Sequence, residues 1–469
     1  VAGFLARSSW IALLFAATSA AGDAFPGAEG YGRHAMGGRY GRVYRVSTLA
    51  DSGAGSLREC VEACGPRTCV FDVSGTIDLE SGLVASCGFL TIAGQTSPGG
   101  VQLRNVVGNT SAAIRVDGSH VVIRYMRFRP GPGCSFPYSG CGGNVDGATV
   151  YQAGATDVIL DHCSFQWAAD ENVDVFGNPS GTSQADKVTV QWSIIAEPLD
   201  YVLDKHQGYA LLLIHGKDAT VHHNLISHYR DRAPNASQDG ILDFVNNVIH
   251  KVETSLPLGR TAEAGSPLST PEVNYRANYG TTDGASANGY MIKPHANGVV
   301  WSDGESDGEG DVIGIVDETS FSAAVSEFAI PTYAAVAKTS AAQALVDVVA
   351  EAGAVRRISC AGEWIENVDA LDARILSEHA ARAGVSPDHP DEVGGWPVLS
   401  GGAPCADSDG DGMPDEFESR WGFDAGSPDG SGDRDADGYT NLEEFLNGTD
   451  PGQAVSASSS GGVWVPASY

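Results

Sequence analysis

Between residues 121 and 249 one pattern returns five times: Val121-Val122-Ile123-Arg124-Tyr125, Val158-Ile159-Leu160-Asp161-His162, Val188-Thr189-Val190-Gln191-Trp192, Thr220-Val221-His222-His223-Asn224 and Ile241-Leu242-Asp243-Phe244-Val245. Each copy is a short, largely β-branched run, and the next begins roughly 20 to 40 residues later. Recurrence at that spacing, with few helix signals between copies, constrains the chain to an all-β fold, a parallel β-solenoid. In such a fold a coil buries its inward side chains only by stacking on its neighbours. Asn224, Asn246 and Asn247 close two of the runs. Stacked amides there can bond from coil to coil and tolerate the left-handed backbone of a tight bend. Irregular insertions leave the register of the copies open.

A chain of 469 residues accommodates one solenoid and a small appendage. Its 59 glycines suit many tight turns, and its formal charge of −31 excludes nucleic acid and anionic membranes as natural partners. The same field repels an anionic polysaccharide unless cations intervene. Arg7, the apolar run 10–17 and the small residues 18–24 read as an export signal over 1–22, too short to span a bilayer. The expected location is therefore extracellular or periplasmic, where cysteines pair. Cys60, Cys64, Cys69 and Cys87 cluster with their connectivity open, Cys134 and Cys141 bracket a Gly/Pro loop, and Cys360 and Cys405 flank the end of the main domain. Cys163 is left over inside a strand pattern and reads as a buried, unreactive thiol.

Ser56 and Glu59 form a capping box, so a short helix begins there and covers the open end of the solenoid. Helical periodicity returns over 334–352, with Leu345, Val348 and Val349 on one face, and over 368–383. The solenoid domain is expected over 23–400, a separate acidic segment over 401–452 and a flexible tail over 453–469. In the acidic segment Asp407, Asp409, Asp411, Asp415 and Glu418 carry the spacing of a calcium-binding EF-hand loop, with Gly412 at the sharp turn. Asp433, Asp435, Asp437, Asn441 and Glu444 repeat it around Gly438. The segment resembles the calcium-stabilised repeats that end many secreted bacterial proteins, or a dockerin-like module, which would imply a protein partner.

Further motifs occur in order along 24–400: Phe25-Pro26-Gly27-Ala28-Glu29-Gly30-Tyr31-Gly32, Asp51-Ser52-Gly53-Ala54-Gly55-Ser56-Leu57-Arg58, Phe71-Asp72-Val73-Ser74-Gly75-Thr76-Ile77, Leu90-Thr91-Ile92-Ala93-Gly94-Gln95-Thr96, Leu160-Asp161-His162-Cys163-Ser164-Phe165 and His222-His223-Asn224-Leu225. Together they resemble the secreted bacterial pectate lyases. The resemblance implies a right-handed parallel β-helix that cleaves α-1,4-linked galacturonan (pectate) by β-elimination with calcium. It places the calcium carboxylates at Asp146, Asp170 and Asp174, and the catalytic arginine at Arg232 of Arg232-Ala233-Pro234. A substrate-holding lysine falls at Lys205, here followed by a long His-Gln-Gly-Tyr stretch. Family members often carry a second arginine after the motif's proline; Asn235-Ala236-Ser237 has none, and Arg230 is the alternative.

The chemistry accounts for these residue types. Removing the C5 proton of a uronate delocalises charge onto its carboxylate, so the transition state calls for cations there. Calcium takes six to eight oxygens, leaving room for substrate beside two or three protein carboxylates, and it also resolves the repulsion between an acidic enzyme and an acidic polymer. Asp170 and Asp174 would lie roughly 13 Å apart on an extended strand, so the chain must bend between them; Glu171 is an alternative ligand, but with Asp170 and Asp174 facing the groove it points elsewhere. An arginine is a poor base in water; nearby positive charge must favour its neutral form, or it binds a sugar carboxylate while another base works through water. His162, His222 and His223 read as structural. Two other readings stand beside the lyase: a glycan-binding β-helix without activity, and a lyase or hydrolase of another uronate polymer.

Overall fold

The computed structural model describes residues 22–135, 142–178, 180–202, 204–251, 259–261, 271–282, 290–293, 298–306, 308, 314–316 and 326–455. Nearly all of the export signal, Cys141 and all but the first residues of the expected flexible tail lie outside them. The recurring β-branched runs are strands of one parallel sheet of ten strands, from Arg42–Val46 to Val299–Asp303 (sheet I). A second sheet of eight strands begins at Gly75–Leu79 (sheet II), and a third of nine begins at Leu83–Ala85 (sheet III). Each coil visits sheets I, II and III in turn before rising to the next, and all the pairings between coils are parallel. The fold is a parallel β-helix.

Register follows from burial. Leu90, Val121, Val158, Val188, Ala219, Leu242, Val273 and Val300 stack in one inward column. Ile92, Ile123, Leu160, Val190, Val221, Phe244 and Tyr275 stack two residues on. The sequence copies beginning at Thr220 and Ile241 are each one residue out of this alignment, because Ala219 and Leu242 are the true equivalents. A slip of one would turn the inward column to solvent, so packing decides the point that the repeat left open.

Where each coil leaves sheet I, the backbone takes a left-handed bend, with φ of 48° at His162, 49° at Trp192, 52° at His223, 51° at Asn246 and 49° at Ala277. The residue after each bend forms a ladder. The backbone N–H of Cys163 donates to Ser193 Oγ, that of Ser193 to Asn224 Oδ1, that of Asn224 to Asn247 Oδ1, and that of Asn247 to Asn278 Oδ1. Asn224 and Asn247 thus bond from coil to coil, while Asn246 occupies a bend and donates to the Ala277 and Thr339 carbonyls. Cys163 is a buried free thiol, its pKa pushed up to about 12 by burial. Asn247→Ala removes the acceptor of a buried N–H and is expected to cost about 1–3 kcal/mol of stability. Denaturant unfolding checks this, with specific activity of the folded fraction unchanged.

Ser56 caps α1 (Leu57–Val61) through Glu59 N–H, and Leu57, Cys60 and Val61 close the first coils. Disulfides Cys60–Cys69 and Cys64–Cys87 tie that end together. The 25–32 motif lies across the outer face of sheet I: Tyr31 N–H donates to Thr220 Oγ1 and Gly32 N–H to Thr189 Oγ1. A side chain at Gly32 would strike the Val158 carbonyl at 2.3 Å, which is why the motif needs glycine there. Helices α2 (Ala341–Glu351) and α3 (Ala370–Ala380) cover sheet II, burying Val348, Ala352, Leu371 and Ile375 on Ile194, Ala196, Leu225 and Val248. The acidic segment, anchored by Cys360–Cys405, carries α4 (Asp415–Trp421) and α5 (Asn441–Asn447). These two helices do not stand apart: Met413, Phe417, Leu442, Phe445 and Leu446 share one core with Val70 and Ala93 of the first coils.

Candidate active site

Four successive coils enter sheet III at one corner, and Asp146, Asp170, Asp174 and Arg232 gather there, with the strand Tyr209–Ile214 lying between those of Asp170 and Arg232. Asp146 immediately precedes strand Ala148–Tyr151, Asp170 precedes Glu171–Phe176, and Arg232 precedes Asn235–Ser237. Oxygens of Asp146, Asp170 and Glu171 lie within 4.8 Å of one another. Asp174 sits on the strand opposite Thr149, one coil from Asp146.

The bend that brings Asp170 inward falls at 169–170, ahead of a regular strand rather than within it. Glu171 therefore does not point elsewhere. As the first strand residue after a bend, its side chain escapes simple alternation and joins both the acidic group and Arg232. Burial, with the Asp170 charge adding and a hydrogen bond from Thr149 opposing, pushes the Asp146 carboxyl up to about 7. Burial and the charges of Asp146 and Asp170 hold Asp174 well above the usual carboxylate range, and its Oδ1 is buried without a hydrogen-bond partner. Carboxylates so crowded and desolvated suit a divalent cation with oxygen ligands.

Arg232 has a left-handed φ of 66° and its N–H bonds Asp231 Oδ1 at 2.8 Å. The guanidinium then crosses the Tyr209 ring, 3.6 Å from its centre, to pair with Glu171. Tyr209 faces Glu171 in the strand register, so one aromatic ring supports the ion pair. Lys205 and Arg230 are not part of this group. Lys205 is exposed on a small hairpin, across from Val202, and Arg230 faces Asp200 at 3.8 Å, which also holds His206 at 2.7 Å. His222 and His223 are buried, and the bend at His223 lets their rings meet through Nδ1 atoms 2.8 Å apart rather than diverge.

The acidic segment forms two loop–helix units of like construction. Gly412, with φ of 95°, donates to Asp407, and Gly438, with φ of 102°, donates to Asp433. Asp407, Asp409 and Asp411 gather in one loop, and Asp433, Asp435 and Asp437 in the other. Asp415 and Asn441, at matching positions, accept from the loops' own Ser408 and Arg434 N–H groups. Glu418 closes on Asp411 and on Asp429, a residue outside the spacing pattern. Glu444 is buried beside Thr449 with Oε1 unpartnered.

A probable pectate lyase C from Aspergillus fumigatus is 33% identical over 439 residues, covering 91% of this chain and 94% of that protein. The chain belongs to the pectate lyase family. It is thus a polysaccharide lyase by descent, and its named relatives are fungal, which corrects the narrower resemblance to bacterial members. Those of Aspergillus flavus and Emericella nidulans are 32% and 31% identical, each over 91% of this chain and 94% and 93% of theirs. No family model matches the chain. Among solved structures, the major cedar pollen allergen jun a 1 aligns with a TM-score of 0.49 at 17% identity, over 70% of this chain and 92% of that one. A pectate lyase from Bacillus sp. N165 in complex with trigalacturonate aligns with a TM-score of 0.43 at 17% identity, over 69% and 98%. For this family member, Tyr209 is the site residue that the motifs did not single out, since only the strand register sets it opposite Glu171, whereas Glu171 is the alternative ligand that alternation sets aside.

Proposed function

We propose that this member of the pectate lyase family cleaves α-1,4-galacturonan by calcium-dependent β-elimination outside the cell. The observation that carries the reading is the meeting of a buried carboxylate group and Arg232 at one corner of the β-helix. Asp146, Asp170 and Asp174, joined by Glu171, are the residues that would hold calcium. When bound, the ion supplies positive charge where the substrate carboxylate gains negative charge.

Arg232 is assigned the C5 proton. Its electron pair becomes the C4–C5 double bond, the C4–O bond breaks, and the departing sugar oxygen is protonated. Glu171 is paired with Arg232 and also lies beside Asp146 and Asp170, so a Glu171 that joined the metal ligands would turn from the guanidinium and leave it facing substrate. Lys205, on the neighbouring coil entry, and Arg230, two residues before Arg232, are assigned to substrate carboxylates further along the polymer. The three disulfides placed among the described residues fit an oxidising compartment, and no described helix is long and apolar enough to cross a membrane. The two acidic loops of the C-terminal segment are read as structural calcium sites. Their buried Phe417, Leu442 and Phe445 face the β-helix and are not available to a protein partner.

Ultraviolet absorbance of the conjugated double bond, followed on polygalacturonate with and without chelator, tests the function. An absorbance rise only with calcium is expected. Reducing ends formed without it would mean hydrolysis, and binding without either product would mean an adhesive protein.

Acidity should compete with the metal. Because the Asp146 carboxyl is pushed up to about 7, it carries a proton below that pH, which calcium must displace. Apparent calcium affinity is expected to fall as pH drops through this range, by about tenfold per unit for each proton displaced, because Asp174 is also held above the usual carboxylate range. Calcium titrations across that range check the slope.

A further inference from the structure

We propose that Asp429 is a calcium ligand supplied to the first acidic loop from outside it, which makes that loop the tighter of the two C-terminal sites. This rests on reading the two loops as calcium sites.

Oxygens of Asp411, Glu418 and Asp429 lie within 4.8 Å of one another, and Asp411 is shared with the Asp407 and Asp409 group. Glu418 is 0% exposed, and neither of its carboxylate oxygens has a hydrogen-bond partner. Asp409 Oδ2 and Asp429 Oδ1 are likewise buried and unpartnered. Buried carboxylate oxygens without donors call for a cation. The cation that reaches this loop from the solenoid, Arg45, lies 3.2 Å from Asp407 and is shared with Asp72.

Asp429 arrives by a specific route. Asp411 Oδ2 accepts from the N–H groups of Asp429 at 2.9 Å and Gly430 at 2.5 Å, drawing that turn over the loop. A Cβ on Gly430 would stand only 3.0 Å from Asp411 Oδ2, so the approach depends on glycine. The second unit repeats the bond. Asp437 Oδ2 accepts from Val455 N–H at 2.8 Å, again eighteen residues on, but a valine stands where the first unit has Asp429. The second loop is left with Asp433, Asp435, Asp437 and Glu444. Calcium affinity rises with the number of charged oxygen ligands, so the two sites are unequal.

Both units are joined to the solenoid, the second through the Arg39–Glu443 ion pair and the bond from Arg124 to Asn447, and the first through its loop. Arg45, in the strand Arg42–Val46, donates to the Asp407 carbonyl at 3.1 Å, and Met413 and Phe417 enter the core shared with Val70 and Ala93. An ion bound only by the folded loop stabilises that docked arrangement.

The test uses the full chain with terbium and calcium as probes. Trp421, on the helix that carries Glu418, sensitises terbium held at the first loop. This signal is taken as the difference from Trp421→Phe. Asp429→Asn is expected to weaken that titration about tenfold and to shrink the calcium-dependent rise in melting temperature. Asp435→Asn should leave it unchanged while weakening the second calorimetric class, and Val455→Asp should tighten that class. An Asp429→Asn protein, folded by circular dichroism, with an unchanged Trp421-dependent titration would overturn the proposal and leave the calcium reading standing. No Trp421-dependent signal in the wild type would overturn that reading as well.

Discussion

Arg232→Lys is expected to lower kcat by about 10²–10⁴-fold at saturating calcium and substrate. The replacement keeps the positive charge, so a purely electrostatic role would survive it. It loses the planar fork that lies across Tyr209 and reaches Glu171, and it moves any proton acceptor away from C5. The loss should therefore sit in kcat, persist at every calcium concentration and leave KM within a small factor. Rescue of the full rate by added calcium would instead place Arg232 among the groups that only help to bind metal or substrate.

Asp174→Asn is expected to behave in the opposite way, weakening calcium binding about 10–100-fold and recovering much of the rate when calcium is raised. Asp174 is one of several carboxylates around the site, and Arg232 remains in place. The substitution also removes a crowded buried charge, since Asp146 and Asp170 both act on Asp174. The metal-free protein should consequently be no less stable than the wild type. Steady-state rates across a calcium titration, with thermal unfolding in chelator, separate the two variants. A rate loss in Asp174→Asn insensitive to calcium would remove it from the ligand set.

Much of the architecture could be read along the chain because its causes are local and repeated. A β-branched run at every coil, a left-handed bend after it and, in three coils, an asparagine at the next position are each a property of a few neighbouring residues, and repetition made them visible. The ladder through Asn224 and Asn247 is one outcome, and α2 and α3, with Val348 buried and Leu345 and Val349 half-buried, are another. Asn278 continues the same ladder but went unread, because its coil carries alanine rather than a polar or aromatic residue at the bend.

The candidate site was legible in its members but not in its arrangement. Asp146, Asp170 and Arg232 stand at ordered motifs, yet alternation assigned Glu171 away from them. That rule holds within a strand and fails at its first residue, where the preceding bend sets the direction of the side chain. Lys205 and Arg230 fitted by chain order, while the hairpin that carries one and faces the other is a local insertion with its own partners, Asp200 and His206.

By itself, then, the sequence determined a stacked parallel β-helix, its turn chemistry and two acidic loops of calcium-binding spacing, while the residue types for elimination at a uronate were implied by the family resemblance. Tertiary structure alone decided which residues of one coil face which of the next, how Cys60, Cys64, Cys69 and Cys87 pair, and that Glu171 joins Arg232. It also decided that Asp429 turns onto Asp411 and that the last helices dock on the first coils. The physical reason is range. Propensity and periodicity act over a few residues, whereas these contacts join segments from tens to hundreds of residues apart, and burial selects among partners that local sequence leaves equivalent.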